Sequence, residues 1–443
     1  MKPVLLVPES GDMSKKIEFA FREYGHVILT EGVFESGPIE IPSDAVLELG
    51  ENAELRFIPD FSIYKPYYTR WEGVKCYCMH PCILFDSAEN SKITGKGRIN
   101  GSGEAWWEYS AERRNQGNSP ETELEKMFAA LNPGYETQPG GGGGRNIQFL
   151  RPPLIQIKNS RNIVIEDVYI TGSPFWTVHP LFSRDVTIRN VEIKNPYTAP
   201  NTDGIDVESC SGVRILDSVV DVGDDGIALK SGSGPDGIAD GIPTEDVLIK
   251  RCTVKCAHGG AVIGSETAAG IFNVTVEDCR FVGTDRGIRI KTRRGRGGRI
   301  HDLVFRNIEI EDNLCPFVIN MYYRSGSLDD EDFSLEKKPI DEATPEISSV
   351  LIDSCHATGS RATAGMIVGL PERPIEGLEI RNCSFAVSPD ASEDKDSAGM
   401  YKGLPTPSSR GFRIRNASLK MENVEVICEG EKILIEDGVE FVE

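Results

Sequence analysis

The chain has 443 residues, 39% hydrophobic and 26% charged, which is enough apolar material for a sizeable core and argues against a disordered or coiled-coil chain. Its 48 Lys and Arg against 69 Asp and Glu give a formal net charge of -21, so an anionic nucleic acid or membrane surface has no broad partner here and any polyanion has to meet a local basic patch. No run of about 18 apolar residues is available to cross a bilayer.

The first residues, MKPVLLVPESG, hold only PVLLV as an apolar stretch, short for a signal-peptide core, and the chain is expected in the cytoplasm. Its 11 cysteines lie mostly in apolar strand patterns and suit reduced thiols better than a disulfide framework. Asp12 to Tyr24 has apolar residues at helical spacing and is predicted to cap the open N-terminal end of a stack of strands. Val27-Ile28-Leu29, Ile39-Glu40-Ile41 and Val46-Leu47-Glu48-Leu49 begin those strands. Cys76, Cys78, His80 and Cys82 alternate along one stretch; a zinc site usually spaces its cysteines C-x₂₋₄-C, so a plain strand face is the expectation. Residues 101–150 break the rhythm with Trp106-Trp107, a predicted helix at about 122–132 and a glycine run at 139–144. The paired tryptophans are expected as a hydrophobic lid, with stacking on a sugar as the alternative.

From about residue 160 the sequence repeats itself. An apolar-x-apolar start recurs at Ile163, Val186, Val213, Val247, Val274, Leu303, Val350 and Leu378, spaced by 23, 27, 34, 27, 29, 47 and 28 residues. Four residues after each start comes a residue that is mostly a short polar, turn-forming type, such as Asp167, Asn190 or Asp217, and seven after it an apolar one. Four copies place Cys252, Cys279, Cys355 and Cys383 at the same offset, expected as a stack of small buried thiols. Short period-two strands with turns between them and no helical stretch describe a right-handed parallel β-helix, an all-β solenoid. The predicted organisation is a single domain over 1–443: a cap and opening coils at 1–100, an insertion at 101–150, and catalytic and C-terminal coils at 151–443. The polar stretch 388–410 reads as a plain surface loop.

In several coils the second strand follows one template. Asp203-Gly204-Ile205-Asp206-Val207 aligns with Asp225-Gly226-Ile227-Ala228-Leu229, then Gly259-Gly260-Ala261-Val262-Ile263, then Arg286-Gly287-Ile288-Arg289-Ile290. On that register Asp203 and Asp225 share a lane, Asp224 and His258 share the one before it, Arg289 falls in the lane of Asp206, and Lys291 in that of Glu208 and Lys230. A single Asp at a strand end is usually a turn cap, but three carboxylates converging with His258, Arg289 and Lys291 are harder to read as structural. Neighbouring carboxylates repel, so one pKa is expected to rise, which yields an acid and a base from identical side chains, as glycoside hydrolysis needs. Residues 286–299 also hold seven arginines and lysines, suited to a polyanionic sugar; for Arg293 to Arg299 a solvated basic loop is the main expectation.

The segments NTDGID (201–206), GDDGIALKSG (223–232), AHGG (257–260) and RIK (289–291), in this order on a β-helix, resemble the four signature segments of the polygalacturonases, glycoside hydrolase family 28. The resemblance implies Asp224 as general acid, Asp203 and Asp225 as the pair that activates water, and hydrolysis with inversion. It implies His258 as a residue that orients or tunes the acid. Arg289 and Lys291 would bind a galacturonate carboxylate, and Asn201 would support the sugar or the acid. Tyr322 or Tyr323, about one coil beyond Lys291, is expected to touch substrate, and Trp176 and His179 to line the cleft, with core packing as the equal alternative for Trp176. No cofactor or metal is implied, and the expected partner is an oligogalacturonide or polygalacturonate chain. An exo-acting, bacterial-type enzyme working from the non-reducing end is expected, with the 101–150 insertion walling off one end of the cleft. Rival readings are a rhamnogalacturonan or xylogalacturonan hydrolase, a calcium-dependent pectate-lyase-type β-helix, and a non-catalytic carbohydrate-binding β-helix.

Overall fold

The structure, a computed structural model, describes residues 3–116, 119–137, 150–327, 329–396 and 399–442; the glycine run at 139–144 lies outside them. The chain divides into two compact units, Met1–Asp224 and Asp225–Glu443.

Both units are built of parallel β-helix coils, as predicted. The repeat starts pair directly. In the first unit Ile163 faces Val186. In the second, Val247, Val274, Leu303, Val350 and Leu378 follow one another across four pairings. Period-two alternation then sends one apolar row of every strand into the core and the other row outward.

What turns the chain at each coil is a left-handed residue. The position four after the start has positive φ in all eight copies, from 50° at Asn190 to 63° at Asp167. A second left-handed residue, not predicted, precedes each start: Asn162, Asp185, Gly212, Asp246, Asn273, Asp302, Ser349 and Gly377. Asn and Asp tolerate this region because their short polar side chains bond locally. They also bond one another between coils: Asn190 Nδ2 donates to Asp167 Oδ1 at 2.7 Å, and Asn307 Nδ2 to Asp278 Oδ1 at 2.7 Å. Between these turns the predicted thiols stack inside, with the Cys252 amide 3.5 Å from Cys279 Sγ and the Cys355 amide 3.4 Å from Cys383 Sγ.

A second sheet of short strands carries the template segments. In the first unit it runs from Ile39–Glu40 through Ile83–Asp86, Ile155–Lys158 and Val178–Leu181 to Ile205–Glu208. In the second it begins at Asp225–Lys230, pairs Asp225 with Gly259 and Ala261 with Ile288, and so reproduces the predicted register.

The predicted N-terminal helix is Ser14–Tyr24, with the Asp12 carboxylate accepting from the Ser14 and Gly37 amides at 2.8 Å each. The helix expected at 122–132 is Glu123–Leu131, opened by a Thr122–Glu125 capping box. A further helix, Glu104–Gln116, carries the paired tryptophans. Trp106 is buried on Phe61, ring centroids 4.1 Å apart, and Trp107 donates to the Ser173 carbonyl, so both form the lid rather than a sugar platform. The cysteine-rich stretch is one arm of an antiparallel hairpin, Pro66–Trp71 with Val74–Met79. There Cys76 and Cys78 lie 3.5 Å apart, while His80 turns to the Pro81 carbonyl and Glu40.

The turn geometry makes a stability prediction at Asn307, whose φ is 52°. Asn307→Val should lower unfolding free energy by about 1–3 kcal/mol, because a β-branched residue is strained in this region, whereas Asn307→Gly should stay close to wild type. Urea unfolding of the two variants side by side checks it; equal losses would contradict a backbone origin.

Candidate active site

The first unit brings Asp203 and Asp224 together, with carboxylate oxygens within 4.8 Å of each other. Asp203 is buried at the end of its coil, where its carbonyl accepts from the Thr177 amide at 2.9 Å. Asp224 is half-buried, and Asp225, the next residue along the chain, opens the second unit. Two hydrogen bonds of about 2.7 Å reach about 5 Å through a single water, so the Asp203 and Asp224 oxygens are close enough to share one. Asn201 is held from behind by Arg151, a buried residue that sequence reasoning missed. Its Nη2 donates to Asn201 Oδ1 at 2.8 Å and its Nη1 to the Pro200 carbonyl at 2.7 Å.

His179 is only 1% exposed and sits in a buried chain of polar groups. Its Nδ1 lies 2.9 Å from Gln156 Nε2 and its Nε2 3.1 Å from Glu208 Oε2, while Trp176 packs edge-on against its ring. Expected to line the cleft, it instead faces the hairpin: Thr69 donates to Gln156 at 3.0 Å, and the fully buried Arg70 donates to Glu208 at 3.2 Å and to Ser209 at 2.8 Å. The hairpin therefore covers the outward face of Ile155–Lys158, Val178–Leu181 and Ile205–Glu208. The insertion braces this cover, since the Asn132 side chain bonds both the amide and the carbonyl of Tyr77. No signal for the cover was present in the coil repeat, because Arg70 and Thr69 lie outside it.

In the second unit Asp225 is clamped by two cations. Arg289 Nη1 donates to Oδ1 at 2.8 Å and Lys291 Nζ to Oδ2 at 2.6 Å. Burial by itself would raise the pKa of this carboxyl, but Lys291, Arg289 and Lys230 outweigh it and hold Asp225 well below the usual carboxylate range. The expected upward shift is thus not at Asp225, which is ionised. Because its folded pKa is depressed, its contribution to stability is complete above about pH 4 and is lost progressively as pH falls below that. Lys230 itself is held by Glu266 at 3.2 Å, and burial, which would raise the Glu266 pKa, is overridden by Lys230, Arg296 and Lys291, which bring it down to about 2.

His258 is partly exposed, its Nε2 3.9 Å from Asp285 Oδ2 one coil on. The two tyrosines separate: Tyr323 lies under Arg289 and Lys291, 5.5 and 5.1 Å from its ring centre, while Tyr322 is fully buried beneath Arg294. The arginine-rich loop is not a solvated basic patch. Arg293, Arg294 and Arg296 are all buried, bonded to Asp332 and the Gly326 carbonyl, to Glu372, and to Ser233 respectively; only Arg299 projects outward. Nor is 388–410 a plain surface loop, because Arg289 Nη2 donates to Met400 Sδ at 3.0 Å and Asn320 Nδ2 to the Gly399 carbonyl at 2.8 Å.

Comparison with known proteins places this geometry among relatives. A profile described as Glycosyl hydrolases family 28 matches residues 142–391. The chain is 33% identical over 251 residues to the "Probable polygalacturonase" of Vitis vinifera, covering 56% of this chain and 49% of that protein. It is 28% identical over 342 residues to an "Endo-polygalacturonase" of Pectobacterium carotovorum subsp. carotovorum, covering 72% and 74%. Among solved structures, a hyperthermoactive exopolygalacturonase from Thermotoga maritima superposes with a TM-score of 0.75 at 28% identity, over 96% of this chain and 92% of that one. The chain spans about half the length of the first curated relatives it matches.

The covering hairpin can be tested through its buried ion pair. Arg70→Met removes the guanidinium partner of the buried Glu208 carboxyl and should cost about 3–5 kcal/mol of stability, while the double variant Arg70→Met/Glu208→Leu should recover much of it. Denaturant unfolding of both proteins measures the difference; a single variant as stable as wild type would refute the buried clamp.

Proposed function

The chain belongs to glycosyl hydrolases family 28, and we propose that it hydrolyses the α-1,4 bond between galacturonate residues, removing single sugars from the non-reducing end of oligogalacturonides. The observation that carries this reading is the clamped carboxylate: Asp225 is fixed as an anion by Arg289 and Lys291, directly beside Asp224 in the chain. A carboxylate that cannot take a proton in the working range is suited to hold and polarise water. It leaves Asp224 to deliver the proton.

In the proposed step Asp224 gives its proton to the glycosidic oxygen as the C1–O bond breaks. A water held by Asp203 attacks C1 from the opposite face and passes its proton to the Asp203 carboxylate, while Asp225 stays ionised. Inversion turns the α linkage into a β-galacturonate product. Arg289 and Lys291, stacked on Tyr323, face the substrate carboxylate on the leaving side, where a bidentate guanidinium contact is strong. His258, which lies beside Asp285, takes the role of orienting or tuning the acid on the strength of its AHGG motif.

Exo action is supported by the hairpin. Gln156, His179, Asp206 and Glu208 are all buried on what would otherwise be an open sheet face, so in the first unit a chain has no free path past these rungs. The wall is the hairpin itself, with the 101–150 insertion as its brace.

Asp224→Asn keeps the shape of the side chain and removes its proton, and should lower kcat by about 10²–10⁴-fold. The assay is reducing-end release from trigalacturonate and polygalacturonate with chromatography of early products and NMR of the first anomer formed. Monogalacturonate appearing first as the β anomer is expected. Early mixed oligomers would defeat the exo reading. An unsaturated, ultraviolet-absorbing product lost with a chelator would replace hydrolysis by elimination. Equal binding without turnover by wild type and Asp224→Asn would leave a binding module.

A further inference from the structure

The polar stretch after residue 388 returns over the sheet face that carries the cations. Its segment Gly399–Lys402 is pinned at every residue: the Gly399 carbonyl accepts from Asn320 at 2.8 Å, the Met400 carbonyl from the Arg324 amide at 3.0 Å, and the Lys402 amide donates to the Tyr322 carbonyl at 3.1 Å. The Tyr401 ring lies 5.3 Å from the Arg413 guanidinium and its hydroxyl donates to Asp396.

The pairing of the short strands shows what this strap covers. Arg289 pairs with Val318, Val318 with Met366, and Met366 with Arg413, so these four share one outward lane. Val318 and Met366, the two positions directly beyond Arg289, are 1% and 4% exposed. Gly399 lies so tightly against Met366 that a Cβ there would come within 2.6 Å of its Sδ. At the near edge Met400 puts its thioether 3.0 Å from Arg289 Nη2.

A thioether is a weak acceptor, and a uronate carboxylate at the same guanidinium forms a much stronger charge-assisted bond. Met400 can therefore give way to one sugar carboxylate at Arg289. A second sugar further along the lane meets the pinned backbone of the strap.

We propose that the strap Gly399–Lys402 limits the leaving side of the site to a single galacturonate, with Met400 as the specificity-determining side chain, so that digalacturonate is the preferred substrate over long polymer. This rests on the hydrolase reading of the same site. Loops elsewhere in the molecule decide which end of the chain is attacked; the strap decides how much chain can enter behind the cleaved bond.

The test is kcat/KM per chain end for the full-length protein on digalacturonate, trigalacturonate and polygalacturonate. Wild type should favour digalacturonate over polymer by about tenfold or more. Met400→Gly, allowed by the positive φ of 51° at this residue, and Tyr401→Ala, which frees the strap from Arg413, should each raise the polymer-to-dimer ratio by about tenfold. Met400→Leu keeps the bulk and should move the ratio far less than Met400→Gly, and circular dichroism of every variant checks the fold. A wild type that prefers polymer, or a ratio that neither opening variant moves, overturns the strap while leaving hydrolysis intact. A wild type inactive on all three substrates overturns the hydrolase reading and the strap with it.

Discussion

Register between successive coils is the constraint on which the rest of the structure depends. A β-strand shows alternate residues to opposite faces, so a slip of one residue would exchange the core row for the outward row in every coil at once. Two left-handed residues per coil prevent the slip. Asn162 and Asp167, or Asp302 and Asn307, fix where each strand begins and where it turns, whatever the length of the loop between coils. Because the turns are locked, equivalent residues stack, and a side chain placed once in a template reappears in the same lane on the next rung. That is how Arg289 and Lys291, 64 and 66 residues away in sequence, both reach the Asp225 carboxylate.

The outward face of the short-strand sheet concentrates charges that are almost fully shielded from water. Arg70 with Glu208, Lys230 with Glu266, and Asp225 with Arg289 and Lys291 are each buried pairs or triads. Desolvating such groups offsets most of their attraction, so they add little net stability. Their effect is to fix protonation and position. Asp225 remains an anion, Lys230 remains turned toward it, and the hairpin remains seated.

The sequence made the coils legible because their signal is repeated and local: apolar alternation plus a turn residue at a fixed offset. Asp225, His258, Arg289 and Lys291 could be placed because they lie inside the template. Features that depend on a single long-range docking event were not legible. Helix Glu104–Gln116 lacks an amphipathic pattern, since Trp106 and Trp107 point to different partners, Phe61 and Ser173. Arg70 has no repeat to announce it. Arg293, Arg294 and Arg296 read as a solvated loop because composition cannot show that Asp332, Glu372 and Ser233 wait for them. The stretch 388–410 read as a surface loop for the same reason: its polar residues say nothing of the Met400 contact with Arg289. His179 had the right residue type and the right coil, yet Gln156 and Glu208 claim both ring nitrogens.

The same motif in the same lanes can serve two ends, and the anions beside it decide which. Arg413 and Arg415 stand where Arg289 and Lys291 stand, three pairings further on. Arg413 bonds Glu436 at 2.8 Å, and Arg415 bonds Asp437 at 2.6 Å and Glu436 at 3.4 Å, so two carboxylates near the end of the chain hold this pair. Those carboxylates belong to no template segment, and the pair ties down the end of the coil. Arg289 and Lys291 converge on Asp225, which follows the proposed acid in the chain. A pair of cations held by two carboxylates ties down a chain end, whereas two cations converging on Asp225 fix it as an anion. Position in the lane supplies the candidate; the carboxylates it meets there decide what it holds.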